Sequence, residues 1–257
     1  MKKYTTAVTG NTTGNAAGNT IGMDMGDKSH KAVVIDGGGK EVGREEVPNT
    51  REAVGEFLGR HRGATLAIET GTPCRWVAEM AREGGLHVIV ANARKVKLIA
   101  KSSRKNDWND ASILARLART DRTLLHPVTL RGAEDQRLMR LAKARETLVR
   151  CRTAVINEIR GFCKAEGARL RNCSVEAFAK LKGDLPGEAA DVTGPLFEQL
   201  AGLNAGIKSY DGILREALKR IRGADAKLIM QIPGVGVVTA AVFLVLTRDG
   251  KKGRISL

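Results

Sequence analysis

The sequence predicts an α/β chain: a mixed sheet with helices, followed by an α-helical coiled-coil arm and a short helical C-terminal segment. Three observations carry this. Between residues 20 and 100, apolar strand-like runs alternate with stretches of helical periodicity, the pattern of a mixed α/β sheet. Beyond residue 131 the strands stop and apolar residues recur at heptad spacing. A Pro-Gly-Val-Gly turn with an apolar helix behind it then follows.

Taken in order, residues 1–19 are rich in Thr, Asn and Gly, lack the apolar core of a signal peptide, and read as a disordered lead-in. The runs 21–27 (IGMDMGD) and 31–36 (KAVVID), separated by KSH and followed by GGG, read as a β-hairpin, with a third strand at 41–47 (EVGREEV). TREAVGEFLGRH has helical periodicity and Thr50 as its cap. TLAIET (65–70) is a buried strand by its β-branched content, and PCRWVAEMAREGG a helix opened by proline and closed by glycine. LHVIVA (86–91) is another buried strand, with basic helical sequence after it. A first domain over residues 20–130 follows from this alternation.

In the arm, residues 131–223, Leu138, Leu141, Leu148, Val155, Ile159 and Phe162 keep a heptad rhythm that Arg145 and Arg152 interrupt. A cleaner seam runs through Leu196, Leu200, Leu203, Ile207, Tyr210, Leu214, Ala217 and Ile221. The stretch GDLPGEAADVTGP between them is turn-rich. The expectation is an antiparallel hairpin or a dimerising arm; two ordinary amphipathic helices on one core are the alternative. Residues 224–257, with LIMQIPGVGVVTAAVFLVLT, form a last partial domain, whose glycine turn offers backbone N–H groups at a helix start.

The charge is uneven. Of 257 residues, 43 are Lys or Arg and 28 Asp or Glu, a net +15 with pI near 10.0. Residues 1–90 hold 11 basic against 11 acidic side chains, residues 91–160 hold 17 against 7, and residues 161–257 hold 15 against 10. Concentration of the excess in the middle segment points to an acidic polymer as partner. The four cysteines show no metal-ligand spacing and read as reduced packing residues. No run approaches the roughly 18 apolar residues of a membrane span, so a cytoplasmic, nucleoid-associated protein is expected.

Against that basic background the informative residues are acidic. Asp24 lies within an apolar strand, Glu69 closes one, and Asp107 and Asp110 lie at i and i+3 in the first turn of the helix ASILARLA. If that helix packs on the sheet beside Asp24 and Glu69, four carboxylates converge, and like charges at that spacing need cations. All-oxygen ligands suit Mg²⁺ or Mn²⁺, and two such ions serve phosphodiester cleavage. Singly, Asp107 and Asp110 read as cap and first-turn residues, and Asp24 as a turn acid. Arg94, Lys97, Lys101, Arg104 and Lys105 are the candidate phosphate contacts, and Trp108 is either a base-stacking ring or a cover for the helix start.

IGMDMGDKSHKAVVID, AIETGTPCRW and KNDWNDASILARLAR, followed by a helical arm and IPGVGVVTAA, resemble the DEDD transposases of the bacterial insertion sequence one-ten family over residues 20–247. The resemblance implies a RuvC-like (RNase H-like) catalytic domain whose acidic tetrad falls on Asp24, Glu69, Asp107 and Asp110, with Mg²⁺ or Mn²⁺ as cofactor. It also implies a structured guide RNA that pairs with DNA, and homo-oligomers in which a C-terminal serine attacks the phosphodiester. In the family a long serine-bearing segment separates the apolar helix from a basic stretch. Here LVLTRDGKKGRISL joins the two directly, and Ser256 matches a later serine, not the nucleophile. A truncated or internally deleted, recombination-defective transposase is therefore expected. An actin/hexokinase-like ATPase or sugar kinase, whose first phosphate loop resembles DMGDKSHKAVVID, and a non-catalytic nucleic-acid-binding remnant are the alternatives.

Overall fold

A computed structural model describes residues 18–99, 106–185 and 187–247. The lead-in through residue 17 and Ser256 lie outside the described residues. The chain divides into two units between Leu130 and Arg131.

The first unit is built on one five-stranded sheet. β1 (Thr20–Met25), β2 (Ser29–Ile35) and β3 (Glu41–Pro48) form an antiparallel meander, and β4 (Thr65–Glu69) and β5 (His87–Ala91) add in parallel beside β1. The order is β3-β2-β1-β4-β5, and only β2 runs against the rest. That is the RuvC-like (RNase H-like) sheet. Strand alternation divides its side chains between two layers. Ile21, Met23, Leu66 and Ile68 pack with α1 (Arg51–Arg60) and α2 (Cys74–Glu83) through Val54, Phe57, Leu58, Val77 and Ala81. Val33, Ile35 and Ala67 face α4 (Asp107–Thr120) through Ala111, Leu114, Ala115 and Ala118. Between β5 and α4 lies α3 (Ala93–Ile99).

Local signals set the helix ends. Thr50 Oγ1 accepts from the Ala53 amide at 3.2 Å and starts α1. Pro73 precedes the first turn of α2, and Gly84 ends it, with Gly85 at φ +84° turning the chain into β5.

On the α4 face, Gly22 has no substitute. A Cβ there would stand 2.0 Å from the Ala111 carbonyl oxygen and 2.4 Å from the Ala115 amide, both backbone atoms that no rotamer change moves. Glycine inside a strand here marks a helix laid directly on the sheet. On the opposite face His30 is fully buried, and neither ring nitrogen has a hydrogen-bond partner. Burial lowers its pKa. His61 is also lowered, by burial and by Arg60, with Glu45 opposing.

The second unit is helical. α5 (Ala133–Ala165) and α6 (Gly187–Ile229, kinked at Arg222) pair along their length, with α7 (Val237–Thr247) against both at one end. Glu134 meets Arg220, Arg145 meets Asp211, and Arg152 meets Asn204, so the partners run in opposite directions and the pair is antiparallel. At one end Leu138, Leu214 and Leu218 pack with Ala240, Ala241 and Leu244 of α7. The segment from residue 224 thus shares a core with the hairpin instead of forming a unit of its own. At the other end Ile156, Ile159, Cys163 and Leu200 enclose Phe178 and Phe197, whose rings stack at 5.6 Å.

Three details differ from the sequence expectation. Phe162 is 36% exposed, because Cys163 and Ile159 take the inward positions. Arg145 and Arg152 fit the seam because Asp211 and Asn204 face them from α6. The turn-rich GDLPGEAADVTGP is helical from Gly187 onward, with Pro195 inside the helix. Burial of Ala189 and Thr193 outweighs proline's missing donor, and the Thr193 hydroxyl donates to the Ala189 carbonyl. Among the described residues no helix is long and apolar enough to cross a membrane.

Two measurements test this account. Gly22→Ala should lower the unfolding free energy at the upper end of the roughly 1–3 kcal/mol typical of overpacking, or beyond it. Gly37→Ala, with open space around it, should change little. Equal urea midpoints for the two would remove the close contact. For His30 the unfolded chain takes up a proton near pH 6.5 while the folded one resists, so stability falls as pH drops below that value. His30→Leu should flatten the melting-temperature profile there, leaving the part due to His61; an unchanged slope would clear His30.

Candidate functional site

The carboxylates are placed by the strand register. The final ladder pair between the parallel strands β1 and β4 is Met23 with Ile68, so Asp24 and Glu69 follow at neighbouring C-terminal strand ends. Each lies two residues beyond a residue that faces α4, Gly22 and Ala67 respectively, so both acids belong to the α4 face. Both are half-buried. Asp24 is also in register with Lys31 of β2, whose ammonium pairs with Glu46 at 2.5 Å.

α4 begins at that same edge. Asn106 is its cap, with the side-chain oxygen accepting from the Trp108 amide at 3.1 Å. Capping is thus Asn106's task, and Asp107 and Asp110 stand in the first turn beside the positive end of the helix dipole. Helical spacing puts Asp107, Asp110, Leu114 and Ala118 on one row, and the last two pack against Ala67 of β4 and Ala91 of β5. The aspartate row therefore lies over the strand that ends in Glu69.

The convergence expected from sequence is incomplete. Among the described residues no three His, Cys, Asp or Glu side chains stand close enough to share one metal ion. The first turn directs Trp108 inward, packed on Val33, Ile35, Ala111 and Ala115, while Asp107 is exposed and Asp110 half-buried. Trp108 covers the helix start, with Lys31 Nζ at 5.4 Å and Arg44 Cζ at 6.0 Å from its ring centre. Two carboxylates at adjacent strand ends, with two more on the helix above them, are a donor set of hard oxygens, the chemistry that suits Mg²⁺ or Mn²⁺.

Of the candidate phosphate contacts, Arg94 is exposed in the first turn of α3. The Lys97 side chain, Lys101, Arg104 and Lys105 lie outside what the structure describes. Sequence reasoning passed over Gly22; its signal was a glycine within an apolar strand, two residues before the aspartate.

Comparison with known proteins bears on this edge. Residues 21–165 match the model of the DEDD transposases of IS110 elements, described as a transposase. The chain is 33% identical over 161 residues to the transposase for insertion sequence element IS1111A of Coxiella burnetii, covering 61% of this chain and 43% of that one. It is 27% identical over 206 residues to the transposase for insertion sequence element IS1328 of Yersinia enterocolitica, covering 76% and 58%. The chain spans about half the length of these curated relatives. Among solved structures, T. thermophilus RuvC in complex with Holliday junction substrate is similar at 17% identity and TM-score 0.31, over 38% of this chain and 90% of that one.

Proposed function

The chain belongs to the DEDD transposase family of IS110 elements, and from that premise we propose that the sheet edge carrying Asp24 and Glu69 is the site where a DNA strand is cut in a metal-dependent reaction. The observation that carries this is the shared placement of the two acids. They stand at neighbouring strand ends, on the face that α4 covers, with Asp107 and Asp110 on the helix row above.

Asp24 and Glu69 would hold a divalent cation, and Asp107 and Asp110 would complete its ligands from α4. When bound, such an ion activates an attacking oxygen and stabilises the leaving one. The chain's own part is positional. The sheet fixes two carboxylates, and Gly22 lets the helix bearing the other two lie against it. Lys31 and Arg44, both paired with glutamates, flank the site on the β2–β3 side.

The partners proposed are DNA and, from the family, a structured guide RNA, in the cytoplasm at the nucleoid. The basic segment that includes Arg94, Lys97, Lys101, Arg104 and Lys105 supports both. Assembly into a homo-oligomer would use surface other than the seam that α5 and α6 bury between themselves. The family match gives no support to the ATPase or sugar-kinase reading.

For the metal, Mg²⁺ or Mn²⁺ should raise the melting temperature of the wild-type chain, by an amount equivalent to about 2.7 kcal/mol at a hundred times Kd. Asp24→Asn should abolish that shift. No shift in the wild type would end the metal proposal.

For recombination, the 257 residues by themselves hold no serine in the context of the family's nucleophile. A positioned nucleophile is worth about 7–11 kcal/mol of barrier, so these residues alone should nick DNA slowly at most. Labelled DNA incubated with protein, RNA and Mg²⁺ should show no covalent adduct on a denaturing gel. An adduct lost in Ser256→Ala would identify Ser256 as the nucleophile and overturn this.

A further inference from the structure

A hollow of 470 Å³ opens in the first unit beyond the end of β5. Its walls are Asn92 and Lys95 on one side, and Arg122, His126 and Val128 on the other. The second wall is the short 3-10 turn Arg122–Leu125 and its exit. Two hydrogen bonds tie the walls together: the Asn92 amide donates to the Leu125 carbonyl at 3.0 Å, and the Val128 amide to the Val90 carbonyl at 2.9 Å. The concavity is therefore held by backbone and not by mobile side chains.

Three of its lining residues, Lys95, Arg122 and His126, carry basic side chains. Among the described residues no ion pair engages Lys95, Arg122 or His126. The nearest acid in sequence, Asp121, is engaged by the turn, accepting from the Thr123 amide at 2.8 Å and from its hydroxyl at 2.6 Å. These bonds hold its pKa below the usual carboxylate value, so it stays a committed anion of the turn. His126 adopts φ +44°, the one described residue other than glycine in the left-handed region. A second hollow of 350 Å³ shares Arg122, Pro127 and Val128 with the first and adds Arg82 and a mainly apolar wall of Val88, Ile89, Val90 and Leu130. Together they make one track along β5, the edge strand of the sheet.

We infer that this track is a binding site for the phosphate backbone of the DNA strand that crosses the acidic edge, with Lys95, Arg122 and His126 as its phosphate contacts. The position fits. Ala91, next to Asn92, is in register with Glu69, so the first hollow opens at the end of the strand that neighbours the one ending in Glu69. Cations spaced along a largely apolar track, Arg82, Arg122 and Lys95, suit a polymer in preference to a single small anion. Cations here would hold the strand while the metal-bound acids act on it, which keeps attraction and chemistry on separate side chains. The inference rests on the proposed cleavage site only for the identity of the strand.

The test is a salt titration of binding to a fluorescein-labelled DNA duplex, read by anisotropy, for wild type, the double variant Lys95→Ala/Arg122→Ala, and His126→Gly. Each phosphate neutralised adds about 0.9 to the log–log salt slope on duplex DNA. The double variant should therefore be shallower by about that amount for each phosphate it no longer neutralises. His126→Gly relieves the left-handed backbone, so it should bind more weakly while melting at the same or a higher temperature. Unchanged slope and affinity in the double variant would overturn the inference, as would a weakening confined to single-stranded RNA. Asp24→Asn separates the two proposals: it should lose the metal-induced thermal shift yet keep the wild-type slope. A wild type without a metal shift, beside a double variant with the shallower slope, would leave the track standing and remove the cleavage site.

Discussion

The first unit depends on one missing atom. Because Gly22 has no Cβ, the backbone of α4 lies on β1 with its carbonyl and amide groups where a side chain would otherwise stand. Everything near the acidic edge inherits that contact. It sets the level at which Asn106 starts the helix, so that Asp107 and Asp110 come at the end of the sheet where Asp24 and Glu69 emerge. It also favours small residues beneath the helix, and Ala111, Ala115 and Ala118 supply them beside Leu114. A longer contact distance would be filled by larger side chains, and the helix start would move away from the strands by the same amount.

Much of this was legible from sequence because it is local. The hairpin, the Thr50 cap and the proline-to-glycine span of α2 each rest on residues a few positions apart, and each is found. The strand end at Glu69 and the first-turn aspartates are likewise local. What sequence did not yield depends on distant residues. The inward choice of Trp108 over the aspartates follows from packing on Val33 and Ile35, seventy residues or more away along the chain. The basic track joins residues 92–95 to residues 122–128, and neither piece is distinctive alone.

The helical unit shows the same division from the other side. Heptad spacing located both long helices, yet could not say what Arg145 and Arg152 would meet, since their partners lie 66 and 52 residues on. Pro195 misled by local propensity: the enclosure of Ala189, Phe197 and Leu200 around Phe178 outweighs one absent hydrogen bond. Helix preference is a small quantity per residue, and burial of a stacked aromatic pair exceeds it.

The cross-links of that hairpin have a further bearing on how its length can change. Glu134–Arg220, Arg145–Asp211 and Arg152–Asn204 are matched charged or amide pairs at successive levels of two opposed helices, with Asp135–Arg222 at the kink that ends the straight run of α6. Losing one residue from α5 alone would rotate every later level by about 100° and set each guanidinium against the wrong neighbour. Only paired changes, a heptad removed from each limb at facing positions, preserve the matching. Related chains should therefore differ in the length of this arm by whole heptads, or keep its length fixed, even where the apolar residues of the seam drift freely.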